Sequence, residues 1–171
     1  MFHITTLATH GIKCVPVTVE ADVAFGLNAF NIVGLPDASV KESRDRIRAA
    51  IKNSGFTFPR GRITVNLAPA DVRKQGPIYD LPIALSILVA TGDISRSAIE
   101  QATFVGELAL DGSIRSVQGT LLAAIMTKEI GKNTLFVPIC NTNEASAIDS
   151  ITVYGASSLR ETVEQDRKSV V

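Results

Sequence analysis

The side chains best placed for chemistry in this chain are cationic. Residues 36–75 hold nine Lys and Arg residues (Lys41, Arg44, Arg46, Arg48, Lys52, Arg60, Arg62, Arg73, Lys74) against four acidic ones. That segment therefore carries +5 and the remainder −5, within a net charge of zero. Lys41, Arg44, Arg48 and Lys52 recur every three or four residues, which puts all four on one stripe of a helix. Arg60 and Arg62 enter the next apolar run, and Arg73 with Lys74 lies in the loop beyond it. Converging cations of this kind track phosphates without reading bases. The same pattern also describes a solvated helix face with i,i+4 pairs such as Lys41 with Asp45. Only Phe56 and Phe58 interleave with the cluster, so base stacking is not strongly indicated.

Covalent and metal chemistry find less support. Cys14 and Cys140 lack Cys-x-x-Cys spacing and a nearby His, and are expected as reduced, partly buried thiols. His3 and His10 have no acidic partner at metal spacing. Ser43 and Ser86 lie inside helical patterns, where packing or local backbone bonding accounts for them. Gly131-Lys132-Asn133-Thr134 has the look of a P-loop's end. Met126, however, stands where the first glycine belongs, and Asn133 where a Ser or Thr should hold magnesium. No cofactor or metal site is expected in this domain. No apolar run approaches the roughly 20 residues of a membrane helix, and no basic-then-apolar leader opens the chain. The expectation is a cytoplasmic protein without membrane contact.

The elements that must position these groups follow from periodicity. Alternating strands occupy the first 35 residues, broken at His10-Gly11 and at Gly26-Leu27-Asn28. Pro36-Asp37 opens a helix whose apolar face is Val40, Ile47, Ala50 and Ile51, ending at Gly55. Ile63 to Leu67 reads as a strand. A second helix starts near Asp80, whose carboxylate suits an N-cap, with Ile83, Ala84, Ile87, Leu88 and Thr91 as its inward stripe. Phe104–Leu110 and Ser113–Val117 flank the hairpin signal Asp111-Gly112. An apolar helix then runs from Gly119 to Ile130, and short strands and helices alternate to about residue 166. Strands first, then alternating helices and strands, give a mixed α/β domain.

Several motifs in this order resemble the ComM/YifB family of magnesium-chelatase-like AAA+ ATPases. They are Val33-Gly34-Leu35-Pro36-Asp37, Val40-Lys41-Glu42-Ser43-Arg44-Asp45-Arg46, the run Ile63 to Asp71, Asp80-Leu81-Pro82-Ile83-Ala84-Leu85, and Gly106 to Gly112. The resemblance covers about residues 3–165. It implies an α/β fold with a mixed sheet in two layers, like the Lon protease domain and the second domain of small ribosomal protein five. Residues 1–165 would be that N-terminal domain, and 166–171 the start of a linker to an ATPase module holding ATP and Mg. Implied partners are DNA, the chain's own ATPase module, and further copies in a hexamer; the family's role is in DNA branch migration or processing.

The Lon likeness also implies where a Ser–Lys dyad would sit. Asp80 takes the serine position if Ile78-Tyr79 is an insertion, and Leu121 takes the lysine position. A carboxylate cannot serve as the acylated hydroxyl, and its charge opposes an oxyanion. No catalytic residues are expected. The leading reading is a non-catalytic regulatory or DNA-guiding domain whose candidate contacts are Lys41, Arg44, Arg48, Lys52, Arg60, Arg62, Arg73 and Lys74. The alternative is an oligomerisation module of the ATPase ring without DNA contact. A Lon-type peptidase lacks its dyad, and a chelatase subunit finds no porphyrin or magnesium site here.

Overall fold

The computed structural model describes residues 2–168. β1 (Ile4–His10) turns at Gly11, with φ +64°, into the long β2 (Lys13–Ala24), and the two pair antiparallel. After a short loop, β3 (Ala29–Val33) leads to α1 (Ala38–Asn53) and β4 (Arg62–Ala68). The loop after β4 ends in a 3-10 turn, Pro77–Tyr79, and α2 (Asp80–Ala90) follows directly. Then come α3 (Arg96–Ile99), β5 (Ala102–Phe104), β6 (Glu107–Leu108), β7 (Ile114–Arg115) and α4 (Thr120–Glu129). β8 (Thr134–Pro138), α5 (Thr142–Ala145), β9 (Thr152–Ala156) and α6 (Leu159–Lys168) complete the order.

Seven strands form one mixed sheet in the order β3-β4-β2-β1-β5-β8-β9, and β6 and β7 form a separate small hairpin. Strand alternation sorts the side chains onto two faces. Ile4 and Ala8 of β1, Ile63, Val65 and Leu67 of β4, and Phe136 of β8 pack with α1, α2 and α6. Leu7, Leu135 and Val137 point the other way, onto Ala123, Ala124 and Met126 of α4 and Ala145 of α5. The fold is the expected mixed α/β domain. It has two layers at the β3–β4 end, and α4 and α5 add a third over the β1–β5–β8 half.

α2 departs from the one-sided stripe expected of it. Every residue from Asp80 to Val89 is buried, because the helix lies between the sheet and α1. A helix apolar all round is a buried helix. The expected strand from Phe104 to Leu110 is split at Gly106. Phe104 pairs parallel in the main sheet, whereas Glu107 and Leu108 turn away to pair with β7. A Cβ on Gly106 would lie 2.9 Å from Ile114 Cγ2 and 3.3 Å from Leu81 Cβ, so this crossing needs glycine. α6 runs to Lys168, so the segment read as the start of a linker begins as helix; residues 169–171 lie outside the described residues.

Candidate nucleic-acid interface

The basic stripe is set by the way α1 begins and by the face it buries. Asp37 Oδ1 accepts from Val40 N at 2.9 Å, which caps the helix, and Oδ2 accepts from Gly76 N at 3.3 Å. The turn before it is tight. A Cβ on Gly34, at φ +103°, would lie 2.0 Å from the Leu67 carbonyl oxygen, and Leu35 follows at φ +62°. From this start, Val40, Ser43, Ile47, Ala50 and Ile51 face the core. Lys41, Arg44, Arg48 and Lys52 face solvent. Lys41 to Lys52 spans roughly 16 Å at the helical rise per residue.

Beside the stripe runs a shallow groove between α1, the edge strand β3 and the 56–61 loop. Arg48, Lys52 and Arg60 line one depression of about 400 Å³ with Phe56, Phe58 and Asn28. Lys41, Arg44 and Arg48 line the next, which also takes in Glu42 and Asp45. The cations are partly pre-positioned. Arg44 donates from Nη1 to the Phe30 carbonyl at 3.2 Å and from Nε to the Lys41 carbonyl at 2.9 Å. The Arg48 guanidinium lies 5.2 Å from the centre of the Phe58 ring, a cation–π arrangement that limits its rotamers. Among the described residues, the ion pairs are Arg46–Asp80 and Arg160–Glu164, so the expected Lys41–Asp45 pair is not formed. Lys41, Arg44, Arg48, Lys52 and Arg60 thus come together.

The other expected contacts do not join them. Arg62 alternates with the core-facing Ile63, Val65 and Leu67, so it projects from the opposite sheet face. Arg73 is exposed in the loop beyond the N-terminal end of α1. Lys74 is fully buried. Its ammonium donates to the Gly34 carbonyl at 2.7 Å and also to the Pro69 carbonyl, and its backbone bonds Leu35 and Asp37. Burial draws its pKa below the ordinary lysine value, with Asp71 opposing. Lys74 fastens the loop to the start of α1 and presents no charge to a partner.

Asp80 is not the N-cap that its position implied. It already has helical angles, and its buried carboxylate turns to α1 and β6. Arg46 donates from Nε to Oδ2 at 2.9 Å and from Nη2 to Oδ1 at 3.2 Å, and Leu108 N donates to Oδ2 at 3.1 Å. Burial nevertheless pushes the carboxyl up to about 6, against the pull of Arg46 and Leu108. The hydrogen bond to Asp80 holds Arg46 above its ordinary value. Leu121 is exposed on α4, which covers the opposite sheet face from α2. The positions that the Lon likeness assigned to a dyad hold a buried carboxylate paired with the partly exposed Arg46, and an exposed apolar side chain.

The remaining candidates are local. Ser43 and Ser86 hydroxyls donate to carbonyls three residues back. Cys14 is half-buried and its thiol is pushed up to about 11 by burial, with Glu129 adding to it; Cys140 is exposed rather than partly buried, and both are free. No group of three or more His, Cys, Asp or Glu among the described residues could hold a metal ion. No helix among them is long and apolar enough to cross a membrane.

Sequence reasoning missed Arg46 as a partner and Asn28 as a strap. Arg46 lies three residues from Ser43 and four from Ala50, beside the buried face, and a lone Asp80 opening an apolar helix demands a cation. Asn28 Oδ1 accepts from Gly61 N at 2.8 Å, and Ala29 N donates to the Gly61 carbonyl at 3.1 Å. These bonds fix the groove's far rim, and their signal lay only in the pairing of two distant loops.

The family model described as subunit ChlI of Mg-chelatase matches residues 19–141. The protein named Competence protein ComM of Haemophilus influenzae is 42% identical over 157 residues, which cover 92% of this chain and 31% of that one. Proteins named YifB from Salmonella typhimurium and Escherichia coli are 45% and 43% identical over 130 residues, 76% of this chain and 26% of each of theirs. The chain spans less than a third of the length of these relatives. With the family model matching most of its residues, and with these relatives covering so much of it, the chain belongs to the ChlI-type family of Mg-chelatase-subunit-like proteins, beside ComM and YifB.

Proposed function

We propose that this chain is a non-catalytic DNA-guiding domain of a ComM/YifB-type AAA+ ATPase, which holds a phosphate backbone in the groove beside α1. The observation that carries this reading is the convergence of Lys41, Arg44, Arg48, Lys52 and Arg60 along that groove. Each phosphate neutralised there releases a counterion, which favours binding at low salt. Arg73 would extend the track past the start of α1. Arg62 would serve only a strand that passes around the sheet edge.

In a longer protein, ATP and Mg would drive the motor. These residues do not fit them. Gly131 ends α4 instead of opening a helix, and Asn133 leads into β8. The half-buried Lys132 donates to the Glu100 carbonyl, and burial lowers its pKa. The nucleotide would be held elsewhere, and this domain would form one tier of a ring of copies, a hexamer by resemblance.

The test is fluorescence anisotropy with labelled DNA at several salt concentrations, comparing the chain with Arg44→Glu/Arg48→Glu and with Lys52→Glu/Arg60→Glu. Among the described residues, neither side chain of the second pair takes part in a hydrogen bond or ion pair that holds the fold together. Both double variants should weaken binding and flatten the salt dependence. Unchanged binding in both removes the reading.

A second reading draws on the open edge of β3. That strand lies at the end of the sheet, and Glu42 and Asp45 dilute the groove's charge. An acidic segment of a neighbouring subunit could add to the edge, which would make the chain an assembly module. Oligomers broken by the same charge reversals, in a chain that binds no DNA, would select this alternative.

A further inference from the structure

The loop between β2 and β3 raises two large apolar side chains out of the protein. Phe25 and Leu27 are fully exposed, flanking Gly26 at φ +142°. Nothing lies within 4 Å of a Cβ placed on Gly26, so the tip stands clear of the fold. It is also tied to the basic groove. A Cβ on Gly61 would lie 2.3 Å from the Ala24 carbonyl oxygen and 3.6 Å from Phe25 Cα. Gly61 and Asn28, which line the groove with Arg48, Lys52 and Arg60, are joined by the 2.8 Å bond from Gly61 N to Asn28 Oδ1. An exposed aromatic on the rim of a cationic groove matches the design of a single-strand interface. Cations follow the backbone there, and a ring takes the unstacked base.

We infer that Phe25, backed by Leu27, packs against unpaired bases of a strand whose phosphates lie in the basic groove, so that the interface takes single-stranded or branched DNA in preference to intact duplex. This inference rests on the DNA-guiding reading. Charge complementarity chooses the occupant: the tip is continuous with a cationic channel, and a partner that unites anionic charge with flat apolar faces is an unpaired nucleic-acid strand. An intact duplex offers the phosphates and keeps its base faces stacked.

The chain contains no tryptophan, so Phe25→Trp supplies a single fluorophore at the tip. Titration with oligothymidine should quench its emission, and titration with a blunt hairpin duplex should leave it unchanged. In anisotropy, Phe25→Ala/Leu27→Ser should lose roughly fivefold to a hundredfold of the affinity for oligothymidine, as expected for one base stack. Its affinity for the duplex and its salt dependence should be unaltered. Full quenching by the duplex, or tip variants that bind oligothymidine like the parent while Arg44→Glu/Arg48→Glu does not, overturns the tip's role and leaves the groove standing. Charge reversals that alter no affinity sink the groove reading and the tip with it.

Discussion

Arg46 and Lys74 show how a cation's position, more than its presence, decides its role. Arg46 is the α1 cation that turns inward, where its side chain closes on the buried Asp80. A buried pair is weak evidence of net stability, but breaking it from one side strands a charge. Arg46→Met should therefore cost about 3–5 kcal/mol near pH 8. The folded pKa of Asp80 is already above its ordinary value, so the neutral form favours folding and that contribution is lost as pH rises through about 6. Removing Arg46 pushes the carboxyl higher still. Urea unfolding of Arg46→Met should thus show a smaller penalty at pH 5 than at pH 8; an equal penalty would mean that Asp80 stays charged without its partner. Lys74→Met makes the complementary case. It should lower the unfolding midpoint, because two carbonyls lose their donor, while the salt dependence of DNA binding stays that of the parent.

At the scale of elements, α1 carries most of the account: one face closes the core and the other faces the groove. Its N-terminus depends on Asp37, which serves both Val40 N and Gly76 N. Asp37→Ala should destabilise by about 0.5–2 kcal/mol, the usual loss for an N-cap, read from denaturant midpoints; no loss would mean that the flanking turn holds the helix unaided. The existence of α1, its opening at Pro36-Asp37 and its exposed stripe were legible in the sequence, the stripe because spacing at three and four residues marks one helix face. α2 was misjudged for a physical reason. Periodicity reports a one-sided burial, and a helix enclosed on all sides has no polar face to mark its orientation. The break at Gly106 was equally hidden, since a strand that leaves one sheet for another keeps its apolar composition. Arg60 joined the stripe only through Asn28 and Gly61, a contact between residues 33 apart that no local pattern records.

For the whole molecule, the sheet separates two kinds of surface. The face with α1, α2 and α6 holds the larger core and the cationic groove at its β3 edge. The other face is covered by α4 and α5 only over its β1–β5–β8 half. The fold class was readable from the order of strands and helices, and the family from five motifs. The motif Val33 to Asp37 and the loop that follows β4 meet in space through Lys74, so they read as structural fastenings around the start of α1. A zero net charge conceals this arrangement, because Lys41, Arg44, Arg48, Lys52 and Arg60 meet at one edge against only Glu42 and Asp45.

The most direct test is the dissociation constant for oligothymidine measured across salt concentrations. With up to five cations along the groove, log affinity should fall with log salt at a slope of about −2 to −3.5, close to −0.7 for each phosphate neutralised on a single strand. Lys52→Glu/Arg60→Glu should flatten that slope by about one unit or more. Absence of binding at low salt, or a slope that the charge reversal leaves unchanged, would contradict a phosphate-tracking groove.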